Sequence, residues 1–303
     1  MSTSSFRRRK AWLRWLDMRA WRAGRRYYLH LLGLAALMGI VLVLWSVFIE
    51  PNRLIVRSST VEIPGWPQGF EQCKIVALAD LHVGSPHITL DKVREIVART
   101  NEQQPDLIVL LGDYVIQGVV GGTFTDPETF TAVLKDLRAP LGVYAVLGNH
   151  DWWFGAERVT AAFQQVGIRV LTNEAIPIQR NGQTLWLAGL GDYFSHKDDI
   201  EKTVRSITTT DPVLGLTHTP DIFLKLPPPF ILTLAGHTHG GQVNLPLLGR
   251  RVVPSDYGEK YAIGYVEEGS KRIFVSTGIG TSILPLRFRV PPEISVLTIK
   301  AKK

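Results

Sequence analysis

The sequence predicts an α/β domain carried behind one transmembrane helix. Three observations predict it. Residues 29–49 are apolar apart from His30 and Ser46 and contain no Asp, Glu, Lys or Arg, and about 20 such residues suffice to cross a bilayer as a helix. From residue 73 onward, strand-like apolar runs alternate with segments of helical periodicity, the grammar of βαβ units and a largely parallel, buried start to a sheet. Five short stretches bearing His or Asp each follow one of those strand-like runs.

The elements follow in order. Residues 1–28 form a basic tail: residues 1–26 hold nine Arg and Lys against Asp17, a net +8, so the remaining chain carries −1 of the total +7. A basic tail beside an apolar span signals a membrane, and the near-neutral remainder excludes a nucleic-acid surface. The positive-inside rule places the tail in the cytoplasm of a bacterial-type plasma membrane and the rest of this single-pass chain on the non-cytoplasmic side. Arg25-Arg26 loosely resembles a twin-arginine export signal, with Gly24 and His30 departing from the pattern. Bulky residues after the span, Trp45 to Ile49, offer no cleavage site, so an uncleaved anchor is expected.

Residues 50–72, with Pro64-Gly65-Trp66-Pro67, read as a connector holding one strand at 54–63. The domain proper is expected over 73–303. Strands are predicted at 74–79, 106–111 and 142–147, and helices at 89–103, 127–137 and 156–166. Asn181-Gly182 predicts a hairpin between 176–179 and 184–189. Further strands are predicted at 213–217, 230–235, 261–266, 272–276 and 294–299. Cys73 is the only cysteine, which excludes an intrachain disulfide and a thiolate zinc site.

The five stretches are Asp80-Leu81-His82, Gly112-Asp113, Gly148-Asn149-His150-Asp151, His218 and Gly236-His237-Thr238-His239. In an α/β sheet all collect at the carboxyl ends of strands, where such folds place their sites. Carboxylate, imidazole and amide without thiolate suit Mn, Fe or Zn rather than Ca or Mg. Asp80 with His82, and His237 with His239, are two i, i+2 pairs, which share a face if the backbone is extended. Together with a bridging carboxylate they are enough for two ions about 4 Å apart, the arrangement that clamps attacking and leaving oxygens in phosphoryl transfer. Any one histidine alone would read as a hydrogen-bonded core residue.

This ordered set resembles the calcineurin-like metallophosphoesterase superfamily, whose motifs D-x-H, G-D, G-N-H-D/E, H and G-H-x-H are all matched over roughly residues 72 to 300. The resemblance implies a two-sheet β-sandwich flanked by helices and two divalent metal ions, Mn foremost, with Fe or Zn as alternatives. It implies that Asp80, His82 and His239 bind one ion, that Asn149, His218 and His237 bind the other, and that Asp113 bridges them. By the same resemblance a water activated between the ions is the nucleophile, and His150 contacts the phosphate and protonates the leaving oxygen. Asp151 is expected to orient this catalytic loop.

The wording from Gly236 to Gln242, Glu50-Pro51, and Gly278 to Ser282 with Pro285, Arg287 and Phe288 is similar to the membrane-anchored bacterial branch, which includes phosphodiesterases and a UDP-2,3-diacylglucosamine diphosphatase of lipid A synthesis. The implied substrate is a lipid-linked phosphodiester or pyrophosphate at the bilayer. Arg287 and Arg289 are candidate anion contacts, with ordinary surface charge the alternative. Trp152 and Trp153, with Phe154, are candidates for an apolar lip, with core packing the alternative. A UDP-linked lipid is made on the cytoplasmic face, which conflicts with the orientation from charge; an external phospholipid, polyprenyl phosphate or envelope diester avoids the conflict. A phosphomonoesterase or protein phosphatase is the second enzyme reading, and a non-catalytic membrane-bound binding module the third. Oligomeric state is not legible.

Overall fold

In a computed structural model, residues 3–302 are described; Met1, Ser2 and Lys303 lie outside, as do the side chains of residues 1–17, 19–20 and 22–24, on which much of the expected basic tail falls. The chain divides into two units, Met1–Ser46 and Val47–Lys303. The first is α1 (Thr3–Leu44). The stretch Arg25–Asn52 is long and apolar enough to cross a membrane, and its apolar window is wholly unburied.

The second unit is a sandwich of two six-stranded sheets. One contains β1 (Ile55–Pro64), β2 (Cys73–Leu78), β3 (Leu107–Leu111), β4 (Val143–Val146), β5 (Arg169–Val170) and β12 (Glu293–Lys302), in the order β1-β12-β2-β3-β4-β5. All its pairs are parallel except β12 with β2. The other contains β6 (Glu174–Arg180), β7 (Gln183–Gly189), β8 (Val213–Leu216), β9 (Phe230–Ala235), β10 (Gly264–Glu268) and β11 (Lys271–Val275), in the order β10-β11-β9-β8-β7-β6. Its central strands are parallel and its edges are antiparallel hairpins. The hairpin at Asn181-Gly182 has φ of 50° and 74° at the two turn residues, the geometry that dipeptide favours.

Strand alternation assigns the layers. Ile75, Ala77, Leu107 and Val109 face the second sheet and pack with Leu187, Leu214, Leu216 and Leu234. Val76, Leu78, Ile108 and Leu110 face the other way, onto α2 (Leu90–Glu102), α3 (Pro127–Leu134) and α4 (Asn149–Gln165) through Val93, Ile96, Phe130 and Phe163. The outer face of the second sheet is covered by the 3-10 turn Pro220–Lys225 and by α5 (Ile200–Arg205), which the sequence reading missed along with β5.

Thr89, expected as the first residue of α2, is its N-cap, accepting from Lys92 N–H at 3.3 Å. The larger difference is at α4, which begins at Asn149 and not at Ala156. The apolar periodicity restarts at 156 because Gly155, at φ 143°, breaks the helical dihedrals. The turn before it is helical because Asp151 accepts from the Gly148 N–H at 2.9 Å. The 50–72 connector also does more than connect: β1 pairs with β12 along ten residues, from Ile55↔Glu293 to Pro64↔Lys302.

Candidate metal centre

Asp80 and His82 follow β2, Asp113 follows β3, Asn149 and His150 open α4 after β4, His218 follows β8, and His237 and His239 follow β9. All these strands lie inside parallel ladders, so their carboxyl ends share one end of the sandwich, where both sheets contribute. Every one of these side chains is buried, at 8% exposure or less.

The geometry differs from simple strand alternation. Asp80, His82, Asp113, His237 and His239 have φ of 54°, 41°, 55°, 70° and 50°, all in the left-handed region. The i, i+2 pairs are therefore not extended. Each of these five residues is turned out of its strand by a backbone conformation that costs roughly 1–3 kcal/mol for a non-glycine residue and is characteristic of functional sites.

Two sets of donor atoms result. Asp80, His82 and His239 bring one ligand atom each within 4.8 Å of one another, and so do Asp113, His218 and His237. His82 Nε2 lies 3.2 Å from His239 Nε2, which is 3.6 Å from Asp80 Oδ1. His218 Nδ1 lies 2.8 Å from the Leu111 carbonyl, so Nδ1 carries a proton and Nε2 is the ring nitrogen that faces the centre. That Nε2 is 3.2 Å from Asp113 Oδ2, 3.2 Å from Asn149 Oδ1 and 3.1 Å from His237 Nδ1. Ring nitrogens and carboxylate oxygens packed this closely suit a cation.

Asp113 divides its oxygens. Oδ1 accepts the His150 N–H at 2.9 Å, while Oδ2 faces His218 Nε2 at 3.2 Å, His82 Nε2 at 3.7 Å and His150 Nε2 at 3.9 Å. A single oxygen thus reaches both sets. His150 also groups with His82 and Asp113 at ligand spacing, closer to the centre than a purely phosphate-facing role requires.

Electrostatics agree. Burial holds His82 and His237 neutral, their pKa lowered to about 3, and His239 well below the ordinary range. Neutral imidazole is the form that binds metal. Burial disfavours a charge on His218 too, yet the charge and hydrogen bond of Asp113, with Asp80 and Asp192, lift its pKa to about 10. The carboxylates around it call for positive charge. Burial raises Asp80 to about 7, and Asp113 adds to this, while His218 opposes it.

Asp151, expected to orient the loop, is fully buried and takes no part in the lining of the cavity. Its Oδ2 accepts from Asp113 N–H and Gly148 N–H, both at 2.9 Å, and its Oδ1 from Tyr114 N–H at 3.0 Å and Val115 N–H at 3.1 Å. These four bonds tie the Asp113–Val115 backbone to the first turn of α4. A glycine is required at 148 by close approach: a Cβ there would lie 2.2 Å from Asp113 Oδ1.

The cavity over the centre, about 280 Å³, is lined by Asp113, Asn149, His150, His237 and His239, and also by Gln117, Gly118, Trp153, Phe194, Pro254, Ser282 and Ile283. Trp153 is 54% exposed and stands 5.1 Å from the His150 ring; Phe194 stands 5.2 Å from the His237 ring. Phe194 escaped the sequence reading because it lies in a loop outside every motif. Three residues expected to contact substrate lie outside the lining of this cavity. Trp152 packs against the core under α4 rather than lining the cavity. Arg287 is fully buried and donates to the carbonyls of Thr277, Gly280 and Val290, because the turn from 277 to 290 leaves those oxygens inside. Arg289 is exposed but does not line the cavity.

Comparison with known proteins accords with this geometry. Residues 73–252 match the family of calcineurin-like phosphoesterases. The chain is 33% identical over 257 residues to an uncharacterized metallophosphoesterase of Bacillus subtilis, YkuE, covering 84% of this chain and 88% of that protein. It is 33% identical over 230 residues to the phosphodiesterase YaeI of Escherichia coli, covering 75% and 82%. It is 29% identical over 257 residues to a transmembrane protein with metallophosphoesterase domain of Danio rerio, covering 79% of this chain and 56% of that protein. The chain belongs to the calcineurin-like phosphoesterase family, as a hydrolase acting on phosphoester bonds.

Proposed function

We propose that this protein is a two-metal hydrolase that cleaves a phosphodiester or pyrophosphate bond of a membrane lipid or lipid-linked substrate. The observation that carries the reaction is Asp113 Oδ2 shared between two sets of buried ligand-type atoms. In this reading Asp80, His82 and His239 hold one divalent ion, Asn149, His218 and His237 the other, and Asp113 joins them, with Mn the leading metal and Fe or Zn the alternatives. When bound, the ions supply Lewis acidity toward the phosphoryl oxygens and lower the pKa of water. The chain's own part is positional. Leu111 fixes the tautomer of His218, and Asp151 fixes the backbone of Asp113. His150, with Nε2 toward Asp113 Oδ2 and its ring in the cavity wall, stabilises and protonates the leaving oxygen.

Two features support a lipid. One is the helix able to cross a membrane. The other is an apolar groove of about 360 Å³, lined by Val243, Leu245, Val252, Leu284 and Leu286, that shares Ser282 and Ile283 with the metal cavity. Leu247 and Leu248 stand exposed nearby in sequence. The groove suits an acyl or polyprenyl chain whose phosphate reaches the metals. UDP-2,3-diacylglucosamine is one candidate of this class, and an external phospholipid is favoured by the charge-based placement of the domain outside the cytoplasm. The test is Mn-loaded, detergent-solubilised protein assayed on bis-p-nitrophenyl phosphate, p-nitrophenyl phosphate and a panel of lipids. Faster turnover of the diester and turnover of at least one lipid are expected. Preference for the monoester would install the phosphomonoesterase reading instead.

A further inference from the structure

A second cavity adjoins the metal centre through Phe194 and Pro254, which line both. It holds about 170 Å³ and is walled by Tyr193, Phe194, Thr219, Asp221 and Asp256, with no Lys or Arg in its lining. Asp221, on the 3-10 turn after His218, is 3% exposed. Its Oδ1 accepts from Asp256 N–H at 2.6 Å and Ser255 Oγ at 3.2 Å, whereas its Oδ2 is buried with no protein donor. Neither Asp221 nor Asp256 forms an ion pair among the described residues. Lys225 engages the wall through Tyr193: its Nζ donates to the Tyr193 hydroxyl at 2.9 Å and lies 4.3 Å from that ring's centroid.

We propose that this cavity is a subsite for an ammonium group on the substrate, so that the phosphodiester cleaved at the metal centre carries an amine-bearing or quaternary-ammonium head group. The proposal rests on the diesterase reading above and names the arm of the substrate that the apolar groove does not take. A buried carboxylate oxygen without a donor keeps its full desolvation cost, and a cation in the adjoining cavity offsets part of that cost through space. A second carboxylate, Asp256, adds charge, and the half-exposed Phe194 ring offers a face to a cation passing from one cavity to the other. The volume gives room for roughly five groups of water size, enough for a trimethylammonium and its methylene. Burial raises the Asp221 pKa against the hydrogen bonds from Asp256 N–H and Ser255 Oγ that lower it, which marks a carboxyl group that gains from a positive neighbour. A uridine diphosphate offers no such cation, so the subsite points to an amino-alcohol phosphodiester.

The test compares kcat/KM of the full-length, Mn-loaded protein in detergent on p-nitrophenyl phosphocholine and on its neutral isostere, the p-nitrophenyl diester of dimethylbutanol, in which carbon replaces nitrogen. In both, water adds to phosphorus and p-nitrophenolate leaves, so only the charge differs. A preference for the cation of roughly tenfold is expected, with Asp221→Asn abolishing it and Asp256→Asn reducing it. Should Asp221→Asn fail to fold, the Asp256→Asn ratio decides alone. Equal kcat/KM for the two diesters in the wild type, or a preference unchanged in the variants, overturns the subsite while leaving the diesterase reading intact. Turnover of neither diester overturns that reading, and the subsite with it.

Discussion

Asp151 holds Asp113 by its backbone: the buried Oδ2 of Asp151 accepts the Asp113 N–H at 2.9 Å, and Oδ1 accepts the next two amides at 3.0 and 3.1 Å. Asp113 sits at φ 55°, a conformation that needs such support. Asp151→Asn replaces one acceptor oxygen by an NH₂ facing backbone N–H groups. A loss of about 1–3 kcal/mol of stability is expected, with weaker metal binding, measured by urea denaturation and by Mn titration calorimetry. Unchanged Mn affinity would remove Asp151 from the positioning of Asp113.

His150 separates acid from ligand. If it acts on the leaving oxygen, His150→Ala retains two metals per chain by elemental analysis while kcat falls by roughly 10²-fold or more. Loss of one metal would show instead that its spacing to His82 and Asp113 is that of a ligand.

Gly278 has φ 65°, and a Cβ there would lie 2.6 Å from Asp80 Oδ2. Gly278→Ala is therefore expected to push Asp80 off its place and to weaken Mn binding by roughly tenfold or more, the effect of about 1.4 kcal/mol. Calorimetry checks it, and a wild-type isotherm would show that the loop yields more easily than its contacts imply.

Arg287 is a buried strut. Its guanidinium reaches the carbonyls of Thr277, Gly280 and Val290 at 2.7 to 3.1 Å. Arg287→Met leaves those oxygens unpaired, and a cost of about 3 kcal/mol or more is expected in the urea midpoint. Arg289→Ala, at an exposed position, is expected to change stability by no more than about 0.5 kcal/mol.

Cys73 gives the pH dependence. Burial, with Asp106 adding, pushes its thiol up to about 12, above the unfolded value near 8.5. The unfolded state therefore loses the proton first, and this contribution to stability is intact below about pH 8.5 and lost as pH rises toward 12, at up to about 1.4 kcal/mol per unit. The stability difference between wild type and Cys73→Ala should shrink between pH 8 and pH 10 in urea titrations. In native protein at pH 8 iodoacetamide should label Cys73 slowly, and in urea rapidly.

The α/β alternation, the apolar helix and the five motifs were legible in the residues because each is a local signal: a periodicity of 3.6 or 2, a run without charge, a fixed spacing after a strand. Asn181-Gly182 set its hairpin for the same reason. Tertiary structure alone decided the rest. Nothing in Asp80-Leu81-His82 states that the backbone turns left-handed there, since that conformation is held by bonds to distant residues, Asp80 N–H to the Gly112 carbonyl and His82 N–H to the Asp113 carbonyl. Arg287 reads as a surface charge until the turn around it folds inward and gives it three carbonyls to hold. Phe194, Asp221 and Ile283 belong to no motif, because a cavity wall is assembled from loops distant in sequence whose meeting depends on how the two sheets are stacked. The sequence by itself determined which atoms can bind metal; the stacking of the sheets decided which surfaces surround them, because side-chain chemistry is a property of one residue and a cavity is a property of many.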